Sequence, residues 1–449
     1  MKLFRGFVIL GFVLPAFAQY AGPAILSRGE APGGMTRAPD GFTLSLTLTS
    51  EYTNGLIGID AQNSAVALTG EPAFGAGLVV GATGGHTWGH THLNFGYSGS
   101  FKDYSRATTY RGSSQGLSFD LIQQFSPRLA LDVRESAGMY SRFLPATVSE
   151  DSSVPLDSAV SSIPTTDFYN NRTVFNTTQA NLTWQQTARL SFDVGGSYFL
   201  YSQQASALYG AQGEVAMADA QYRLSPHATI GAEYSFAHFT YTHGFGGAFI
   251  HTGLLTAAWR MDRSTEFSLF VGPSRTASSF ERSAPIDPAF LAILCPSSER
   301  ASCPVSSSVV ISNNTDWGPD YGVRASKIFL RGTAYVNAGK STTPGNGLFL
   351  TSRTTMASVG YGYSGLRSWS AGVAASYMSS TSLGNAIGRY QSLVGSYHMS
   401  RHIAGPISFV SSFNATQYRS DTVSAYNRLI YTASVGFGYS TGERPVPFF

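Results

Sequence analysis

The sequence carries little charge and has no long apolar run. Charged residues make up 12% of its 449 residues, about half of the roughly 25% that is usual in soluble globular proteins. After residue 18, no stretch approaches the ~18 consecutive apolar residues of a transmembrane helix. The nearest candidate, 73–83, is interrupted by Gly75, Gly77 and Gly81. A cytosolic enzyme and a helical membrane protein both fit this composition poorly.

Lysine and cysteine are also scarce. The chain has only four lysines and no basic run, and its net charge is +3, so nucleic acid is not expected as a partner. The two cysteines, Cys295 and Cys303, are eight positions apart. In an exported chain this spacing predicts a disulfide that closes a loop. No histidine and no further cysteine lies near them in sequence, so no metal site and no cofactor are predicted.

Aromatic residues and glycine are abundant instead. Aromatics reach 13%, there are 48 glycines, and the mean hydropathy is −0.02. A chain that is rich in aromatics and glycine, low in charge and intermediate in hydropathy is typical of a transmembrane β-barrel, whose strands hide half of their residues from lipid.

The N-terminus has the pattern of a secretory signal peptide. Lys2 and Arg5 precede the apolar stretch 6–14, and Ala16-Phe17-Ala18 forms a small-x-small cleavage site. We therefore expect residues 1–18 to be a signal peptide. Residues 19–40, rich in Pro, Gly and Ala, are expected to form a flexible periplasmic segment.

From residue 41 onward the chain alternates between apolar and polar residues. In 41–52, Phe42, Leu44, Leu46 and Leu48 alternate with threonine and serine. The same period of two recurs at 93–101, 190–198, 369–377 and 429–439. Such alternation predicts strands long enough to cross a membrane at a tilt.

Short turns and long polar connections separate these strands. The short turns include 125–128, 186–189, 224–227, 261–264, 330–332 and 365–368. If the first strand runs outward, all of these turns fall on the periplasmic side, as in outer-membrane barrels. We count eighteen strands in a barrel spanning 41–440, with a tail at 441–449; they include 73–83, 86–104, 264–274 and 314–327. Sixteen remains possible because 73–104 is rich in glycine.

A soluble, exported β-sandwich or solenoid is the competing architecture. Soluble strands average 5–6 residues, whereas the candidates here run from about 11 to 19. Aromatic residues also lie near predicted strand ends, which suggests interfacial girdles; they are Trp88, Trp184, Trp259, Trp317, Trp369 and Tyr439. Both features favour the membrane barrel.

Residues that alternate with the lipid-facing row are predicted to face the lumen. The acidic candidates are Asp120, Asp132, Asp193, Asp219, Glu233, Glu266 and Asp320, and the basic candidates are Lys102, Arg134, Arg223, Arg260, Arg324 and Arg428. This near balance predicts no strong preference for anions or cations. The charges form either a ladder across an open pore or a salt-bridged, plugged interior. Loops 143–171 and 274–314 are the candidates for folding into the barrel.

The histidines suggest no specific site. His86, His90 and His92 are predicted on one strand, where a zinc or copper pair is conceivable. Polar rim residues are the preferred interpretation, because no acidic partner is identifiable. His238 and His243 near an outer rim form no recognisable catalytic motif, so no enzymatic activity is predicted.

The chain resembles bacterial outer-membrane β-barrel proteins of the porin-like kind. The resemblance rests on the leader, the alternation over 41–440, the Ser-Pro-Arg and Ser-Pro-His turns, and the aromatic last strand 429–439 followed by Phe448-Phe449. It implies contact with outer-membrane lipid and recognition by the outer-membrane assembly machinery. The chain departs from the pattern at 440–447, which separates the last strand from the terminal aromatics.

The same resemblance predicts a passive pore for small hydrophilic solutes in the outer membrane of a Gram-negative-type bacterium. A barrel for exopolysaccharide export, and a non-conducting surface or adhesion scaffold, remain the alternatives. An inner track of aromatics and arginines would favour export of a polysaccharide, and a lumen packed with loops would favour the scaffold. The sequence gives no oligomeric state.

Overall fold

The computed structural model describes residues 41–60, 65–69, 72–105, 111–140, 172–204, 208–242, 245–262, 264–285, 307–344, 350–366, 368–383, 388–421 and 427–441. Twenty strands account for most of them: β1 Gly41–Thr53, β2 Leu56–Asp60, β3 Ala65–Thr69, β4 Ala73–Trp88, β5 Thr91–Tyr104, β6 Arg111–Ser126, β7 Leu129–Tyr140, β8 Thr173–Gln185, β9 Leu190–Gln203, β10 Gly210–Ser225, β11 Ala228–Thr242, β12 Gly246–Arg260, β13 Thr265–Pro285, β14 Ser307–Phe329, β15 Gly332–Thr343, β16 Ser352–Leu366, β17 Trp369–Ser382, β18 Arg389–Ala404, β19 Ile407–Ser420 and β20 Arg428–Ser440. Within these ranges no helix is both long and apolar enough to cross a membrane.

Eighteen of the strands form one closed antiparallel barrel. Each strand pairs with its neighbours in chain order from β4 to β20, and β1 closes the ring by pairing with both β4 and β20. Strands β2 and β3 form a separate hairpin in the connection between β1 and β4. The predicted up-and-down barrel is confirmed with eighteen strands rather than sixteen.

The seam between the first and last strands is held at both ends. At one end, the Leu44 N–H donates to Thr441 Oγ1 at 2.8 Å, and the Thr441 N–H donates to the Leu44 carbonyl at 2.9 Å. At the other end, Asn54 Oδ1 accepts from the Tyr431 N–H at 2.8 Å, and Asn54 Nδ2 donates to the Leu429 carbonyl at 3.1 Å. Side chains therefore extend the strand ladder beyond β1 and β20.

The glycine-rich pair β4 and β5 belongs to the barrel, but its turn differs from the prediction. The predicted strands 73–83 and 86–104 place a break near residue 84, whereas β4 continues to Trp88 and the turn is Gly89-His90. Gly89 has a φ of 52°, a conformation that glycine adopts without the clash that a Cβ would cause. Backbone conformation therefore places the turn at this glycine.

The alternation sets which face of each strand meets lipid. In β1, Leu44, Leu46 and Leu48 are 42%, 45% and 61% exposed on the outer face, while the intervening Thr47 and Thr49 are only partly exposed, on the inner face. Successive residues of a strand point to opposite faces, so the outer surface is an apolar belt and the inner surface is polar over much of its area.

Eight short turns lie at one end of the barrel, whereas the connections between barrel strands at the other end are longer except at 243–245. The eight turns fall between β4 and β5, β6 and β7, β8 and β9, β10 and β11, β12 and β13, β14 and β15, β16 and β17, and β18 and β19. The start of β1 and the end of β20 lie at the same end. This is the arrangement predicted from the turn parity, and barrels of this type place their short turns in the periplasm.

Strands β13 and β14 are longer than predicted. The expected strands were 264–274 and 314–327, but the two continue, paired, to Pro285 and Ser307. The upper part of this hairpin alternates weakly because serine occupies both faces, which is why the sequence pattern predicted a loop. The cysteines and loop 143–171 lie outside the described residues, so the disulfide remains a prediction.

The turn between β12 and β13 is organised by one carboxylate. Asp262 Oδ1 accepts from the Ser264 N–H and the Ser264 hydroxyl, both at 2.7 Å, and the Thr265 hydroxyl donates to Oδ2 at 3.1 Å. These hydrogen bonds, the Ser264 hydroxyl foremost, lower the pKa of Asp262 to about 2. The carboxylate therefore stays charged throughout the physiological range.

Asp262→Ala should lower the unfolding temperature of the barrel much more at pH 7 than at pH 2. The folded pKa lies below the ordinary value of about 3.9, so the stabilisation is present above about pH 4 and is lost as the pH falls through about 2. The heat-modifiability midpoint of wild type and variant at both pH values measures this. Asp103→Ala, at an exposed position on the outer face of β5, is the control. An Asp262→Ala deficit of the same size at both pH values would contradict the assignment.

Candidate pore and its constriction

Aromatic side chains fill part of the barrel near the long-loop end. On the inner faces of β7 to β13, an aromatic cluster is formed by Tyr140, Phe175, Phe199, Tyr201, Ala211, Val215, Ala237, Phe239, Tyr241, Ala248, Ile250 and Phe280, together with Leu350. Tyr140 and Phe239 are only 1% exposed. The lumen is therefore closed to water along this part of the wall.

The connection between β15 and β16 supplies one member of this aromatic cluster. Leu350 packs into it, and the adjacent Thr351 N–H donates to the Tyr241 hydroxyl at 2.5 Å. Tyr241 is on β11, five strands from β16 around the ring, which is about 24 Å along the wall at 4.7–4.9 Å per strand. A contact over that distance requires the end of the β15–β16 hairpin to fold into the lumen.

The strand β14 covers the outer side of this inserted hairpin. Pairing between β14 and β15 stops at Tyr321 and Lys340, whereas β15 and β16 stay paired up to Thr343 and Ser352. Beyond Lys340, β15 is paired only with β16 and no longer with β14. The inner face of β14 lies there against the outer face of the β15–β16 hairpin. Asn314 Nδ2 of β14 donates to the Leu383 carbonyl after β17 at 2.9 Å, past both strands of the hairpin.

An ion pair fastens the hairpin to β14. Arg353 Nη2 lies 2.8 Å from Asp316 Oδ2, and the Arg353 side chain is only 14% exposed. A Cβ at Gly318 would collide with the Arg353 guanidinium. The absence of a side chain at residue 318 therefore leaves room for the arginine. Asp320, 5% exposed, accepts a hydrogen bond from the Thr342 N–H. These groups hold the hairpin inside the barrel.

Buried hydroxyl groups fix the inner side of the hairpin to β17. Thr343 Oγ1 lies 3.2 Å from the hydroxyls of both Ser352 and Thr354, and Ser380 bonds to Thr354 at 3.0 Å and to Ser352 at 2.9 Å. All four residues are at most 5% exposed. The narrowing element is therefore the β15–β16 hairpin. The prediction had named only loops 143–171 and 274–314.

Three of the predicted lumen charges meet on β6 and β7. Arg134 Nη2 lies 2.5 Å from Asp132 Oδ2, Arg134 Nε lies 3.6 Å from Asp120 Oδ1, and Asn94 of β5 donates to Asp120 at 3.4 Å. All four side chains lie on the inner face. One arginine therefore neutralises much of the charge of two carboxylates.

Three predicted carboxylates form a row across β9, β10 and β11. Asp219 is the direct partner of Asp193 on one side and of Glu233 on the other. Asp193 accepts a hydrogen bond from the Thr183 hydroxyl, and Asp219 and Glu233 are 6% and 5% exposed. This side of the inner wall is the most acidic.

The remaining candidates are dispersed. Arg260 pairs with Glu266 at 2.5 Å, the Arg223 guanidinium donates to the Ser225 carbonyl at 3.3 Å, and Asp320 faces the inserted hairpin as described. By strand alternation, Arg324 lies on the inner face of β14 and Arg428 at the start of β20. The structure thus gathers some of these residues into pairs and leaves others apart.

Sequence reasoning missed three charged residues of this interior. Glu51 lies 3.0 Å from Lys102 Nζ and accepts from the Tyr104 hydroxyl at 2.9 Å; it continues the inward row of β1, so the alternation had contained the signal. Asp316 is on the inward row of β14 together with Asp320 and Arg324, so the alternation had contained that signal as well. Arg353 was missed for a different reason. Alternation points Arg353 outward, and only the insertion of the hairpin brings it to Asp316.

The opposite half of the inner wall carries almost no charge. From β16 through β20 and on to β1 and β4, the inward positions are mainly serine, threonine and glycine, and among the described residues Glu51 and Arg428 are the formal charges there. Thr47, Ser412 and Ser434 on this half are partly accessible to water. The two halves therefore differ in charge and in filling.

The three neighbouring histidines do not share a strand face. His86 lies on β4, His90 in the turn and His92 on β5, because the turn falls at Gly89 and not before His86. His92 Nδ1 is 3.0 Å from the Thr87 hydroxyl. No group of three potential metal ligands occurs within the described residues. His238 lies on the outer face, 3.7 Å from Glu214, and His243 lies outside the described residues.

A closed barrel with a polar inner wall and an apolar outer belt defines a class of protein. Only structures that satisfy every backbone hydrogen bond internally can span a bilayer, and closed β-barrels meet that requirement. The chain is a closed antiparallel transmembrane β-barrel, the architecture of outer-membrane barrel proteins.

Several crystal structures from Pseudomonas aeruginosa are similar to this chain. OccK2 (OpdF) has 12% sequence identity and a TM-score of 0.41, and the match covers 89% of this chain and 98% of that one. The outer membrane protein opdK has 13% identity and a TM-score of 0.38 over the same shares. OccK11 (OpdR) has 13% identity and a TM-score of 0.37, over 92% of this chain and 100% of that one. No family model and no curated protein matches the sequence.

Proposed function

We propose that the barrel is a passive pore for small hydrophilic solutes. The observation that carries this proposal is the water-accessible, hydroxyl-rich half of the inner wall, beside the half that the aromatic cluster fills. Serine and threonine hydroxyls donate and accept hydrogen bonds, so they replace part of the hydration of a passing polar solute. The inserted β15–β16 hairpin narrows this path and limits the solutes to small ones.

On this proposal the pore selects only weakly for charge. Much of the inner charge is paired locally, as in Arg134 with Asp120 and Asp132, or Arg260 with Glu266. A close pair of opposite charges leaves little net potential beyond a Debye length of about 8–10 Å. The predicted lumen residues then tune conduction locally rather than exclude ions of one sign.

Two alternatives are less well supported. Export of a polysaccharide would use a track of accessible aromatics, whereas the inner aromatics of β7 to β13 are packed against one another. A non-conducting scaffold would need a filled lumen, and the hydroxyl-lined half is accessible. We also infer that the chain has no enzymatic activity, that residues 1–18 are a signal peptide and that the outer-membrane assembly machinery recognises the barrel.

Converting Asp120, Asp132 and Asp193 to Asn should shift the pore toward anions. The substitutions remove three negative charges from the inner wall and leave Arg134 without a counter-charge. The measurement is the reversal potential of the refolded protein in a planar bilayer under a salt gradient, compared with wild type.

A matched variant separates lumen charge from total charge. Asp103→Asn with Glu214→Gln removes carboxylates that are exposed on the outer face, so the reversal potential should not change. Absence of any conductance in folded wild-type protein would refute the pore and leave the scaffold. An unchanged reversal potential in the triple variant would show that these aspartates do not face the pathway.

A further inference from the structure

Exposed cations gather at the short-turn end of the barrel. Arg128, Arg189 and Arg331 lie in short turns, and Lys327 and Arg401 lie near the adjoining ends of β14 and β18; all five are exposed. No carboxylate of the described residues lies within ion-pair distance of any of them. We call these five residues the basic rim.

Little negative charge accompanies the basic rim. The exposed carboxylate of Asp262 shares this end, and its oxygens accept hydrogen bonds from Ser264 and Thr265. Glu266 is occupied by Arg260. The net charge of this end is therefore positive among the described residues.

The exposed charges at the long-loop end are of both signs, unlike those of the basic rim. They include the carboxylates Asp103, Glu214, Glu281 and Asp421 and the guanidinium groups of Arg275, Arg389 and Arg419. A one-signed rim is thus a property of one end and not of the whole surface.

Aromatic rings accompany the rim on the outer face. The Arg401 guanidinium lies 4.8 Å from the centroid of the Trp369 ring, and Lys327 Nζ lies 5.8 Å from the Phe329 ring. Trp88, Trp184 and Trp259 are 53%, 47% and 39% exposed at the same end. Such rings mark the level at which a barrel meets the lipid headgroups.

We propose that the basic rim binds the anionic headgroups of phospholipids in the leaflet that meets the short turns. Lys327 and Arg401 point outward at the level of the aromatic girdle, where each cation can contact both an aromatic ring and a lipid phosphodiester. The arginines of the short turns lie just beyond the girdle, toward the end of the barrel. Clusters of Lys and Arg at a membrane surface attract anionic lipids, and a guanidinium matches the geometry of a phosphate.

The outward direction of these side chains favours lipid over a soluble acidic ligand. A soluble ligand would approach along the barrel axis, where it would meet the turn residues but not the outward-facing Lys327 and Arg401. The inference is independent of whether the lumen conducts.

Quenching of tryptophan fluorescence by brominated lipid tests this proposal, because several tryptophans lie at the rim. The refolded barrel is placed in phosphatidylcholine vesicles that contain brominated phosphatidylglycerol or, in parallel, brominated phosphatidylcholine. We expect phosphatidylglycerol to bind several-fold more strongly to wild type. Lys327→Gln with Arg401→Gln should abolish most of this preference, because each cation near the membrane surface contributes to it, and 1 M salt, which shortens the Debye length to about 3 Å, should reduce it in wild type.

Arg389→Gln with Arg419→Gln is the matched control, since it removes two outward cations from the other end, and it should keep the wild-type preference. Arg401→Lys should keep most of it as well. Equal binding of the two lipids to wild type would overturn the proposal, and so would an equal loss in both double variants. Should the rim variant fail to fold, the lipid comparison and the salt series on wild type still decide the outcome.

Discussion

Val435→Arg should prevent most of the protein from reaching a membrane-inserted, heat-modifiable form, while Ser434→Arg should leave the yield close to wild type. Val435 is 52% exposed on the apolar outer face, and an arginine facing lipid near the midplane costs about 2–4 kcal/mol. Ser434 points inward and bonds to the Ser412 hydroxyl at 2.7 Å, so an arginine there meets water. The two neighbouring positions thus form a matched pair that differs only in direction.

The readout is the fraction of protein that runs as the folded, heat-modifiable band after assembly into vesicles. Val435→Leu is the control for substitution at this site and should assemble normally. Equal yields of the two arginine variants would mean that β20 faces the other way, which would also reverse the inner and outer assignment of its neighbours.

Arg353→Gln should enlarge the single-channel conductance. The substitution leaves the Asp316 carboxylate, whose side chain is 35% exposed, without its partner, and an unpaired charge at a partly buried site destabilises the arrangement that holds it. Release of the β15–β16 hairpin from β14 relieves that destabilisation, and its departure from the lumen widens the path. Conductance of refolded protein in planar bilayers is the measurement.

The double variant Arg353→Gln with Asp316→Asn should conduct more like wild type, because no buried charge is left unpaired and amide side chains can bond to each other. Arg389→Gln removes an exposed, outward arginine at the same end and should have no effect. A conductance of Arg353→Gln that equals wild type would show that the ion pair does not hold the constriction.

Strand alternation carries most of the information about this fold. The rows at 41–52 and 429–439 predict both the strands and their lipid-facing sides, because in a barrel every strand must put one face into lipid. The turn parity then predicts the end at which the chain starts and finishes. Glycine weakens the pattern, as at β4 and β5, where the turn was placed too early.

The constriction is harder to obtain from sequence. Alternation is a local signal, and it assigns Arg353 to the outer face, which is geometrically correct for the strand. The outer face of the hairpin lies inside the barrel for two reasons. The pairing between β14 and β15 ends early, and the hairpin end bonds to Tyr241, five strands away. These are long-range contacts between segments whose own patterns are unremarkable serines, threonines and glycines, so the hairpin could not be predicted to fold inward.

The seam between β1 and β20 has a consequence for the order of assembly. Contacts across it join residues up to 397 positions apart, and non-local pairing of this kind forms slowly. Until β20 is in place, both β1 and the growing last strand present unpaired edges, which are templates for association with other chains. During assembly, the edge of β1 is therefore open to pairing with other chains until β20 pairs with it. A chain truncated before residue 428 lacks β20, so its β1 edge would stay unpaired.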